Sequence, residues 1–94
     1  MKYILVEWIH NNIEEPIVIY CELDEHGFEI RKVEVYKNGE YGVASNEIEW
    51  NNSFLSYEPL PSIEEIGRDS QFRPKIINEK EFQTVWEEAV KSIK

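Results

Sequence analysis

Residues 78–94 read NEKEFQTVWEEAVKSIK, and the spacing inside this stretch decides the fold. Phe82, Val85, Trp86, Ala89, Val90 and Ile93 recur at intervals of three and four, which places them on one face of a helix. Asn78 followed by Glu81 matches a capping box, in which each side chain satisfies the other residue's unpaired backbone N–H, and Ile77 is placed to staple against Phe82. Acids (Glu79, Glu81) come early and bases (Lys91, Lys94) late, the order the helix dipole favours. An apolar stripe of this length must lie on something. The rest of the chain has to supply that surface, and its patterning is that of strands.

Residues 2–9 (KYILVEWI) are aromatic and β-branched, with apolar groups on both parities and only Glu7 interrupting, so this strand is expected to be covered on both faces. Pro16 opens a second run, residues 17–23, in which Ile17, Ile19, Cys21 and Leu23 share a face opposite Val18, Tyr20 and Glu22. Asp24-Glu25-His26-Gly27 forms a turn, with Gly27 free to take a positive φ. In residues 28–36 the apolar parity changes between Phe28, Ile30 and Val33, Val35, which predicts a bulge near Arg31-Lys32. Asn38-Gly39 predicts a two-residue hairpin into residues 40–45, where Gly42 marks a close approach of another backbone. Residues 47–50 add a short edge strand, stopped by Asn51-Asn52-Ser53. Pro59 and Pro61 forbid a central strand, so residues 54–61 read as a connection across the sheet edge, pinned by its aromatics. Ser62 and Glu65 repeat the capping pattern for a short helix ended by Gly67. The expected fold is α+β: a single antiparallel sheet of four to five strands, a meander of hairpins, with a C-terminal helix packed on one face and a short helix before it. Residues 1–94 are read as a single domain.

Charge narrows the functional classes. Ten Lys and Arg against 19 Asp and Glu give a formal charge of −9, which argues against nucleic acid as partner, since that affinity rests on cations neutralising phosphates. Residues 1–61 hold twelve acids and four bases, and between Asn38 and Gly67 there are six acids and no base. Twelve aromatics and 41% hydrophobic residues are enough for a folded core. One cysteine permits no internal disulfide, the first residues lack the pattern of a secretion signal, and no apolar run is long enough to span a membrane. A cytoplasmic location is expected.

Few residues carry chemistry by pattern. Cys21 shares the parity of Ile17, Ile19 and Leu23 and reads as core. His10 and His26 lie sixteen residues apart, which matches no zinc signature, and there is no glycine-rich phosphate loop, Walker motif or nucleophile elbow. No metal or cofactor is expected. His10 closes a strand beside Asn11, Asn12, Glu14 and Glu15, where polar groups converge, and Arg31 stands at the expected bulge, where side chains are often re-aimed toward ligands. Trp50 lies among Glu47, Glu49 and asparagines, and an exposed tryptophan in a negative field is a candidate contact for a basic protein.

Trp8-Ile9-His10, Glu15-Pro16, Tyr20-x-Glu22-Leu23-Asp24 and residues 29–36 (EIRKVEVY) follow one another in an order that resembles a family of short bacterial proteins known only as a domain of unknown function. Gly42-x-Ala44-Ser45, Pro59-x-Pro61, Ile63-Glu64-Glu65-Ile66 and Glu81-Phe82-x-x-Val85-Trp86 continue the resemblance nearly to the end of the chain. It implies a bacterial cytoplasmic origin and supplies no activity.

Two functions remain in contention. The first is a non-enzymatic protein-interaction module, such as an immunity protein or antitoxin, that meets a basic partner through an acidic face; Trp50, Glu47, Glu49, His10 and Arg31 are its candidate binding residues. The second is a small-ligand or enzymatic site gathering His10, Glu15, Glu22 and Arg31 near one end of the sheet. A homodimer through an unpaired edge strand is a third arrangement the pattern allows.

Overall fold

The structure, a computed structural model, describes residues 1–93. The expected role of Lys94 in the last helical turn therefore falls outside the described residues. Six strands form one antiparallel sheet: β1 (Lys2–Trp8), β2 (Val18–Leu23), β3 (Glu29–Val35), β4 (Tyr41–Ala44), β5 (Glu49–Trp50) and β6 (Phe72–Ile77). Helix α1 (Ile63–Gly67) precedes β6, and α2 (Glu79–Lys91) follows it. The strand order β5-β4-β3-β2-β1-β6 is a meander whose last strand crosses back to pair with β1. The sheet thus has one strand more than the four to five expected.

Pro74 hid that strand. A proline inside an apolar run argues against a central strand, and β6 is an edge strand in which the missing N–H is harmless. Ile9 N–H donates to Gln71 C=O at 2.7 Å, and the register continues Trp8↔Phe72, Glu7↔Arg73, Val6↔Pro74. Bonded and non-bonded pairs alternate along an antiparallel ladder, so Arg73, Lys75 and Ile77 turn their amides to β1 while Pro74 faces the free edge.

The hairpins use the same loop twice. Gly27 N–H donates to Asp24 C=O at 3.1 Å and Asp24 N–H to Phe28 C=O at 2.9 Å, with Gly27 at φ 86°. Gly39 N–H donates to Tyr36 C=O and Tyr36 N–H to Glu40 C=O, both at 2.9 Å, with Gly39 at φ 89°. The second loop has three residues rather than two, because Asn38 keeps a negative φ and its Oδ1 accepts from Glu40 N–H at 3.0 Å. Paired positive φ values occur instead at Asn51 (57°) and Asn52 (62°), which turn the chain out of β5. The bulge falls one residue before its expected place: Glu22 faces Arg31 and Leu23 faces Glu29, leaving Ile30 as the extra residue.

The sheet is covered on both faces. On the front, α2 buries Phe82 and Ala89 against Tyr3, Ile77, Val33 and Val43, with Val85, Trp86 and Ile93 half-buried beside them and Val90 at the exposed margin of the stripe. Its capping box is complete at Asn78 and Glu81. On the back, Ile63 and Ile66 of α1, with Leu60 and Phe72, pack on Ile4, Val6, Cys21 and Leu23. Ser62 caps α1 by accepting from Glu65 N–H at 3.2 Å. Gly67 is the last helical residue and has no positive φ, and the helix ends at Arg68 in right-handed geometry. Gly42 meets the expected neighbour, since a Cβ there would lie 3.3 Å from the Ser53 Cβ. Among the described residues no helix is long and apolar enough to cross a membrane.

Candidate functional site

The front face carries a polar network sealed under α2. The bulge at Ile30 turns Arg31 to the side of the sheet where Glu22 stands, and Arg31 donates to Glu22 Oε1 from Nε at 2.6 Å and to Oε2 from a terminal nitrogen at 3.1 Å. The same nitrogen donates to Gln83 Oε1 at 3.1 Å. The guanidinium lies 4.9 Å from the Phe82 ring centre and 5.0 Å from that of Trp86, two stacked rings of α2. Tyr3 Oη lies 2.9 Å from Glu22 and 3.1 Å from Glu79, so its single proton serves one carboxylate at a time. Hydrogen bonds from Arg31, then from Tyr3, hold the Glu22 carboxyl below its ordinary range, against the opposing effect of burial. Burial, reinforced by the two carboxylates, pushes the Tyr3 phenol up to about 12. Three of the five guanidinium N–H groups and the Tyr3 hydroxyl are thus spent on partners within the protein. The network fastens α2 to the sheet.

His10 and Glu15 lie at the other end of the β1–β2 pair. His10 Nδ1 accepts from Asn12 N–H at 3.0 Å, which leaves Nε2 to donate to Pro16 C=O at 2.7 Å. The ring packs edge-on to Trp8 at 4.5 Å. Both ring nitrogens are occupied in shaping the loop. Glu22 and Tyr3 are register partners near one end of the β1–β2 ladder, whereas the 10–16 loop closes the other end. The structure brings Glu22 and Arg31 together and leaves His10 and Glu15 apart from them, so the four do not make one site.

Glu47, Glu49 and Trp50 sit at the β5 end. The Val43↔Trp50 and Ala44↔Glu49 register turns Trp50 to the front, beside a shallow hollow of about 830 Å³ shared with Tyr41 and Ser92, and Glu49 to the back. Glu47 and Glu49 line a second hollow, about 390 Å³, with Ile48, Leu55 and Tyr57. The sequence reading expected the aromatics of residues 54–61 to pin the connection. Instead Tyr57 is 99% exposed and Phe54 57% exposed, with Trp50 at 38%. Leu60 N–H, donating to Gly27 C=O at 2.9 Å, and Ser56 N–H, donating to Glu29 Oε1 at 2.6 Å, fasten the segment instead. Three exposed aromatics and the carboxylates of Glu47, Glu49 and Glu58 thus come from one stretch of chain that contains no base. The signal was present in the sequence as aromatics flanked by acids, but it looks the same as a buried anchor until the sheet edge is placed.

A groove of about 360 Å³ opens on the back face between the sheet and α1. Val6, Ile19, Cys21, Leu60, Ile66 and Phe72 form its apolar lining, and Glu65 and Asp69 stand at its rim. Lys32 lies 3.4 Å from Glu29, with 14% and 4% of their side chains exposed, so this base is already neutralised. The Cys21 thiol is 3.7 Å from Glu29 and 1% exposed; burial first, then the Glu29 charge, pushes it well above the usual thiol range, so it is a protonated core residue and no nucleophile. Among the described residues no three His, Cys, Asp or Glu side chains gather as metal ligands.

The chain belongs to the family described as Domain of unknown function (DUF6881), whose model matches residues 2–91. No curated protein and no solved structure matches it.

Proposed function

We propose that the protein is a non-enzymatic interaction module that offers the β5 end, residues 47–58, to a basic protein, in the manner of an immunity protein or antitoxin. The observation that carries this reading is that Trp50, Phe54 and Tyr57 are all exposed on one stretch of chain that also carries Glu47, Glu49 and Glu58 and contains no base. Aromatic side chains supply the contact area that dominates interface energetics. Carboxylates around them steer a cationic partner and reject anionic ones, and lysine or arginine side chains stack well on exposed rings. The net charge of −9 extends the same preference to long range. On this reading the partner is a basic protein of the bacterial cytoplasm, and neither nucleic acid nor membrane is bound.

The enzymatic alternative lacks support, because Arg31 and Glu22 are consumed in fastening α2 and His10 in shaping its loop. The test is affinity capture from source cells with the wild-type chain and two variants, Glu47→Lys/Glu49→Lys and Trp50→Ala/Tyr57→Ala, followed by reconstitution with the purified partner. One basic protein is expected, retained by the wild type, weakened by salt and lost from both variants. Retention of nothing, or of proteins indifferent to salt and to both variants, overturns the proposal.

A further inference from the structure

We infer that the back-face groove receives a large apolar side chain flanked by lysine or arginine on the partner protein, an inference that rests on the interaction reading above and names what the partner must present. The lining of Val6, Ile19, Leu60, Ile66 and Phe72 is apolar, and its volume of about 360 Å³ is near the lower end of the about 300 to 1,000 Å³ typical of ligand sites. Such a space admits one bulky side chain with room to spare. The rim selects its neighbours: Glu65 and Asp69 are exposed carboxylates, and Lys32, the one base among the described residues that lines the groove, is locked to Glu29. Two such rims would repel each other, which disfavours a second copy of this chain as occupant. The Leu60-Pro61 wall is fixed in place, because Leu60 N–H bonds to Gly27 C=O at 2.9 Å. Leu60 and Pro61, which line the groove, end the stretch of chain that carries Phe54, Tyr57 and Glu58, so a partner that follows this stretch meets an apolar pocket of the kind in which interface energy concentrates.

The experiment is an NMR titration of the whole chain with three end-blocked peptides, KKFKK, KKAKK and EEFEE, reading the methyl signals of Val6, Ile19, Leu60 and Ile66. KKFKK is expected to shift all four. KKAKK should move them little, and EEFEE not at all. Ile19→Arg, which places a cation in the groove, should abolish the KKFKK response; because that change touches a half-buried position, Glu65→Lys/Asp69→Lys, on exposed residues, provides the independent check and should exchange the preference from KKFKK to EEFEE. Equal response to KKFKK and EEFEE, or a response to KKFKK unaltered by the rim variant, overturns the inference. KKFKK shifts confined to residues 47–58 overturn it while leaving the acidic-surface proposal standing, and no shift anywhere counts against both.

Discussion

Replacing Arg31 with Met removes the clamp between the sheet and α2 while keeping an unbranched side chain of similar length. Glu22 then loses hydrogen bonds of 2.6 and 3.1 Å and remains an anion with only 9% of its side chain exposed. Breaking a buried pair by removing one partner costs about 3 to 5 kcal/mol, because the remaining charge stays desolvated. The lost contact of the guanidinium with Phe82 and Trp86 adds about 0.5 to 2 kcal/mol. At about 4 to 8 °C per kcal/mol for a domain of this size, Tm should fall by more than about 12 °C. Urea unfolding followed by tryptophan fluorescence is suited to the measurement, since Trp86 lies against Arg31. Arg31→Met/Glu22→Leu should recover most of the loss, because an apolar pair of similar volume is about as stable as a buried ion pair. Tyr3 still has Glu79 at 3.1 Å as an acceptor in that double variant, so no buried donor is orphaned. A cost below about 1 kcal/mol for Arg31→Met, the range of a solvated surface pair, would refute the reasoning. So would a double variant no more stable than the single one.

The Glu22 carboxyl is lowered on folding, so its contribution is present above the unfolded carboxylate pKa and is lost as pH falls through the folded value; Glu22→Gln should flatten the acid limb of stability against pH, measured by thermal melts. The Tyr3 phenol is raised, so its contribution holds below pH 10 and disappears as pH rises toward about 12, and phenolate absorbance should show a late-titrating component that Tyr3→Phe removes. Asn78→Ala removes the α2 capping box and should cost about 1 kcal/mol in urea unfolding. Pro74→Thr restores an N–H on the outer edge of β6, and should leave stability within about 0.5 kcal/mol of wild type while promoting self-association in sedimentation.

Elements with a strong local signal were legible in the sequence. The α2 stripe and its cap, the two-faced apolar strand β1, and the positive φ of Gly27 each follow from residues adjacent in the chain. What escaped depends on partners distant in sequence. Pro74 reads as a strand breaker until β1 is known to lie on only one side of it. Asn38-Gly39 suits either a two-residue or a three-residue loop, and the Asn38 side chain's bond to Glu40 N–H selects the longer one. Arg31 and Glu22 were both singled out, but their roles as neighbours under Phe82 and Trp86 require the bulge at Ile30 and the placement of α2. Tyr57 and Phe54 illustrate the same limit from the other side: apolar character does not distinguish a residue that pins a loop from one that the loop displays.

The most direct test of an acidic, aromatic docking surface is a hydroxyl-radical footprint of the chain alone and in complex with the protein it captures. Trp50, Phe54 and Tyr57 should lose reactivity in the complex while exposed Ile13, in the 10–16 loop, keeps its own. Unchanged oxidation of all three aromatics in a complex that has formed would contradict the account.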